Sequence, residues 1–172
     1  MNMTTRGILV VAVAAVVSGL VFSWPHARAD DDAREGVRGA TARDAEWVAE
    51  CGSCHVPYPA QLLPAASWSR IMDGLSEHFG ENAELPAATA SRIRAYLLAH
   101  AADATGLGRG YDGDGADVPL RITETRWFIK EHDDVSPKVW KRASVASPAN
   151  CGACHKGADK GDFDEHRVRI PE

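Results

Sequence analysis

CGSCHVPYPAQLLPAASWSRIMDGLSEHF, residues 51–79, and NCGACHKG, residues 150–157, decide how this chain must be read. Each stretch holds a C-x-x-C-H string: Cys51, Cys54 and His55 in the first, Cys151, Cys154 and His155 in the second. C-x-x-C-H is the attachment signature of a c-type haem. The spacing has a chemical reason. Two thioethers clamp the vinyl edge of one porphyrin, and the adjacent histidine then offers an imidazole nitrogen to the iron as proximal ligand. A zinc site of four thiolates would use the same cysteine pairs, and an exported protein would accommodate two disulfides. Neither explains why a histidine follows both pairs at once. No strand-rich pattern surrounds either motif, which disfavours a thioredoxin-like redox centre. Two covalently bound haem c groups are therefore expected.

Each iron has a sixth position, and the possible ligands are few. Methionine opposite histidine raises a haem potential, but beyond the first residues the chain holds a single methionine, Met72. At least one iron must use something else. Beyond residue 29 the spare histidines are His78, His100, His132 and His166.

The surrounding sequence places them. Residues 41–50 read as a short helix with Thr41 or Asp44 at its start, leading into the first motif. The Pro-rich segment 56–64 reads as a non-helical loop whose Leu62 and Leu63 are placed to cover a haem face. Ser67 is expected to cap the next helix, where Trp68, Ile71, Met72, Leu75 and Phe79 form an apolar stripe with His78 at its edge. Pro86 opens another helix to about Ala102, with Ile93, Tyr96, Leu97 and His100 on one face. Periodicity leaves Met72, His78 and His100 open for the first iron. Residues 103–119 are rich in Gly and Asp and read as a linker; their D-G-D-G run lacks the remaining oxygen ligands of a calcium loop. Ile122, Thr123 and Trp127 fit a hydrophobic staple, so a helix is expected from Glu124 to about His132, which falls between Phe128 and Ile129 on the apolar side. Pro137 starts a further short helix. His166 lies in a polar tail and is expected to be exposed. The halves are not copies of one unit: His78 follows the first motif, whereas His132 precedes the second.

Bulk composition narrows the class further. The chain has 172 residues, 45% hydrophobic and 25% charged, values of an ordinary globular protein. Residues 1–29 read as a secretory signal peptide: Arg6 supplies the positive start, residues 8–22 an apolar run, and Ala27-Arg28-Ala29 a cleavage site. The run falls short of the roughly 20 residues that a membrane span prefers. Cleavage would remove two positive charges, Arg6 and Arg28, and take the formal charge from −5 to −7. Nucleic acid is thus a poor partner, since binding it requires a basic surface. A basic patch on another protein is a better one. The expected organisation is a signal peptide at 1–29, a first haem-binding domain at 30–105 and a second at 106–172. Two domains that small would each need a prosthetic group to complete a core.

Beyond the attachment motifs, the strings CGSCHVPYPAQLLPAASW, IMDGLSEHFGENAEL, RIRAYLLAHAAD, PLRITETRWFIKEH and NCGACHKGADKGDFDEHRVRIP make the chain resemble the small periplasmic dihaem cytochromes c of proteobacteria. The resemblance implies a mainly α fold, with a class I cytochrome c-like helical N-terminal domain and a smaller, less regular C-terminal haem-binding domain. It implies bis-histidine ligation, with His78 opposite His55 on the first iron and His132 opposite His155 on the second. It implies electron transfer, with no enzymatic step, between a membrane cytochrome b and a small high-spin cytochrome c that binds oxygen. Low-spin haems of low potential follow from two imidazoles without methionine. Arg121, Arg126 and Lys138 are candidates to pair with haem propionates. The competing class is a haem enzyme or gas sensor in which one distal ligand is absent or displaceable.

Overall fold

Three helices frame the first attachment motif in the computed structural model, which describes residues 43–105 and 118–172. Helix α1 spans Ala45–Cys51, α2 Ala65–Asp73 and α3 Ala87–Ala99. Asp44 starts α1: its backbone is extended and its carboxylate accepts the Trp47 N–H at 2.8 Å, satisfying one donor of the first turn. Gly52 closes the helix. A Cβ there would run into the Val48 carbonyl oxygen, so the first variable position of CGSCH has room for glycine only.

Helix α2 begins after Pro64 and not at Ser67, which lies inside the helix and is wholly buried. The expected local cap is replaced by a distant one. The Asp103 carboxylate, just beyond α3, accepts the Ala65 N–H at 2.9 Å. The apolar stripe also ends sooner than its spacing suggests. Gly74, a poor helix former, closes α2 with its N–H on the Arg70 and Ile71 carbonyls. A single 3-10 turn, Leu75–Glu77, then delivers His78, and Phe79 is left 45% exposed.

Helix α3 follows Pro86 as expected but stops at Ala99. Its Ile93 and Leu97 are fully buried against Trp47, Ala60, Leu63, Trp68, Met72 and Ala101. Each large apolar side chain so buried contributes about 1.5–3 kcal/mol. The Pro-rich segment carries one 3-10 turn, Ala60–Leu62, pinned by the Trp68 indole N–H on the Ala60 carbonyl at 2.6 Å, and Leu62 and Leu63 are both buried. Polar clamps hold the helices together. Glu46 of α1 accepts a fork of hydrogen bonds from Arg92 of α3 at 2.7 and 2.6 Å. Arg94 of α3 donates to Ser69 at 2.7 Å and pairs with Asp73, both on α2.

The second motif is built from shorter pieces: α4 at Arg126–Glu131, α5 at Pro137–Trp140 and α6 at Cys151–Cys154. The cap of α4 is Thr125 and not Thr123; its hydroxyl accepts the Phe128 N–H at 3.0 Å. Residues Ile122–Glu124 form a 3-10 turn instead of the helix start, and Ile122 packs on the first core. Ser136 caps α5, with Pro137 at its first position. The buried cluster here is Val139, Val145 and Ala153, with Val135, Trp140 and Cys154 packed on it.

The fold is thus mainly α. Among the described residues there is no strand, only the isolated bridges His78–Glu81 and Gly157–Asp162, and no helix is long and apolar enough to cross a membrane. The expected signal peptide, the D-G-D-G run and the start of the 106–172 division lie outside the described residues.

Candidate haem sites

The first motif rides on the end of α1. Cys51 is the last residue of the helix and half-buried, Cys54 is exposed, and His55 follows. His78 comes to face His55, with ring centroids 6.3 Å apart and planes 22° from parallel. The turn that places it is tight: Phe79 and Gly80 take φ of 54° and 104°, and the Glu81 N–H returns to the His78 carbonyl at 3.1 Å. A left-handed phenylalanine is costly. Here its ring lies against the His78 imidazole at 4.9 Å and beneath the Arg121 guanidinium at 4.2 Å. Burial, His55 and Arg121 together push the His78 pKa below the ordinary histidine value, favouring the neutral imidazole that a metal requires.

In the second motif Cys151 and Cys154 are the first and last residues of the single turn α6, three apart and therefore on one face. His132, at the end of α4, faces His155 with centroids 6.2 Å apart and planes crossed at 71°. Phe128 stacks on His132 at 4.1 Å and Trp140 lies 5.9 Å away, so the periodicity that set His132 among apolar neighbours holds in three dimensions. Phe163 packs beside His155 at 5.3 Å. Burial, first, and His132, second, lower the His155 pKa, against an opposing pull from Asp162.

These distances fit a specific occupant. Two metal–imidazole bonds of about 2 Å, with about 1.1 Å from each nitrogen to its ring centre, place the centroids of two axial imidazoles about 6.2 Å apart. Both pairs match. The hydrogen bonds agree: a carbonyl can only accept, so the His55 Nδ1 donates to Val56 O at 2.7 Å and the His132 Nδ1 to Phe128 O at 2.8 Å. Each ring then keeps its Nε2 lone pair for a metal. Burial holds the Cys51 and Cys151 thiols up at about 11. Among the described residues no three His, Cys, Asp or Glu side chains gather into a metal cluster, so the four cysteines do not assemble the alternative zinc site.

The other candidates lie elsewhere. Met72 is buried in the first core. The His100 Nδ1 bonds to the Tyr96 carbonyl at 2.8 Å and its ring packs on Tyr96 at 4.5 Å. His166 is exposed and bonded to Asp164 at 3.0 Å. Of the expected propionate partners, Arg121 lies beside the first site, next to an open cleft of about 540 Å³ that Arg70 and Phe79 also line, whereas Arg126 and Lys138 are exposed on the second half. Sequence reading passed over Tyr58. Its ring stacks on His55 at 4.7 Å and 19°, and burial pushes its hydroxyl pKa up to about 12, so it stays protonated.

Comparison with known proteins identifies the family. The family model for dihaem cytochrome c matches residues 47–163. A dihaem cytochrome c from Rhodobacter sphaeroides is 47% identical, covering 71% of this chain and 98% of its own, with a TM-score of 0.64. The dihaem cytochrome c from Shewanella baltica OS155 is 42% identical, covering 74% of this chain and 92% of its own, with a TM-score of 0.63. No curated protein matches. The chain belongs to the dihaem cytochrome c family, and Cys51, Cys54, Cys151 and Cys154 are the attachment points of two covalently bound haem c groups.

Proposed function

We propose that this dihaem cytochrome c is an exported electron carrier, with His55 and His78 as axial ligands of the first iron and His155 and His132 of the second. The observation that carries this reading is the facing of two imidazole pairs at 6.3 and 6.2 Å, each pair containing the histidine of one attachment motif. The bound haems supply one-electron iron couples. The chain's part is to hold them, to keep both axial positions filled with neutral imidazole and to leave no coordination position for a substrate. Outer-sphere transfer needs no acid, base or nucleophile. Two imidazoles without a methionine sulfur make both centres low-spin and of low potential.

Residues 1–29 act in this reading as a cleaved leader that delivers the chain to the periplasm, and residues 30–105 and 106–172 as one haem-binding unit each. The partners are a membrane cytochrome b and a small high-spin cytochrome c that binds oxygen, as the family resemblance implies. The formal charge of −7 after cleavage suits basic docking patches on such partners.

A carbon monoxide difference spectrum of the reduced full-length protein tests the closed coordination. The proposal predicts no Soret shift within the mixing time. A carbon monoxide complex at either haem would favour an enzyme or gas sensor with a displaceable ligand.

A further inference from the structure

One side chain joins the first attachment motif to the backbone just before the second. Tyr58 stands between Pro57 and Pro59, and the proline that follows it favours an extended path for its backbone. That path lays its ring along the His55 imidazole, 4.7 Å between centroids and 19° from parallel. Its hydroxyl, at the far end of the ring, donates a 2.7 Å hydrogen bond to the Ala149 carbonyl. The same carbonyl accepts the Cys151 N–H at 3.0 Å. A single oxygen therefore joins the residue stacked on the first proximal ligand to the first cysteine of the second motif. Beside this link Val56, the residue after His55, lies 3.7 Å from where a Cβ of Gly152 would stand, so the two motifs approach each other at this point.

We propose that Tyr58 is the positioning residue that couples the two haem centres, fixing the His55 ring against the backbone that opens the second motif and giving interhaem electron exchange a continuous path through protein. The proposal rests on the electron-carrier reading above. In the exchange one electron leaves a reduced first centre, which ends ferric, and reaches an oxidised second centre, which ends ferrous. No bond is made or broken, and the Tyr58 proton stays on its oxygen. Tyrosine suits this task because an apolar ring and a polar tip are joined rigidly. Phenylalanine would keep the stack and lose the tie.

The test uses the full-length dihaem protein and three variants: Tyr58→Phe, Tyr58→Leu and Arg43→Gln. Arg43 makes a different bond between the halves, to the Asp159 carbonyl at 2.7 Å, and is the control for docking in general. Electron paramagnetic resonance of the oxidised protein reads the ligand fields, and magnetisation transfer between haem methyl resonances at half reduction reads the exchange rate. Tyr58→Phe is expected to keep its haem content and both low-spin signals while exchange slows several-fold. Tyr58→Leu should slow exchange at least as much and also shift the g values of the first centre, whose imidazole has lost its stacking partner. Arg43→Gln should exchange at close to the wild-type rate. Unchanged exchange in Tyr58→Phe, equal slowing in Arg43→Gln, or loss of haem from Tyr58→Phe would each overturn the assignment. A high-spin iron in the wild type would overturn the electron-carrier reading itself, and the coupling with it.

Discussion

The segment carrying His55 and His78 is built on a cluster that includes Trp47, Leu63, Trp68, Met72, Ile93 and Leu97, whereas the segment carrying His132 and His155 is built on Val139, Val145 and Ala153. The helices differ in proportion: seven, nine and thirteen residues in the first half, six, four and four in the second. Helices of one turn are not stable alone. Yet the two imidazole pairs stand 6.3 and 6.2 Å apart, the same spacing from unequal scaffolds. In the first half a protein core packs behind the facing His55 and His78 rings. In the second the protein core is small, with Phe128, Trp140 and Phe163 arranged around the two rings, and on the proposed reading a bound haem would complete it.

Removing the attachments separates the halves most sharply. Cys151→Ala with Cys154→Ala should abolish amide protection throughout residues 126–172, while Cys51→Ala with Cys54→Ala should leave α3 protected, both read by hydrogen exchange and mass spectrometry. Equal loss in the two variants would break the comparison. Core truncation sharpens it with a smaller effect. Leu97→Ala should lower the unfolding free energy of the holoprotein by about 2–5 kcal/mol, against about 2 kcal/mol for Val145→Ala, which removes fewer buried carbons. Denaturant titration followed by circular dichroism measures both.

The smallest effect concerns the clamp between α1 and α3. The hydrogen bond from Arg92 holds the Glu46 carboxyl below its usual range. A depressed folded pKa contributes stability above the ordinary carboxylate value and loses it as pH falls through the folded value. Arg92→Met should therefore lower stability above the ordinary carboxylate range, flatten the profile through the acid range and leave stability unchanged below the folded Glu46 pKa. Thermal melts at a series of pH values report the difference.

What could be read from the chain alone follows the range of each interaction. The attachment motifs are local grammar, legible because two thioethers and one imidazole must come from five consecutive residues. His132 was legible as a histidine among apolar neighbours, since α4 keeps its helical period up to that residue. His78 was not legible from period as the residue that faces His55, because Gly74 ends α2 and a 3-10 turn with a left-handed Phe79 sets its position; only resemblance to a family singled it out. The Asp103 cap on Ala65 and the Tyr58 bond to Ala149 join residues far apart in sequence, and no local pattern announces either. Ser67 and Thr123 illustrate the converse. Both carry the right side chain for a cap, and in each case the chain takes its helical turn at a neighbouring residue, where Pro64 or Thr125 sets the extended backbone a cap requires.

The central claim is that each iron is closed by its own pair of histidines, supplied from two differently built halves. Electron paramagnetic resonance of the oxidised protein, compared with His78→Ala and His132→Ala, tests it most directly. The account predicts two low-spin bis-imidazole signals in the wild type, with a different one lost in each variant. A high-spin iron in the wild type, or both signals surviving in His78→Ala, would contradict it.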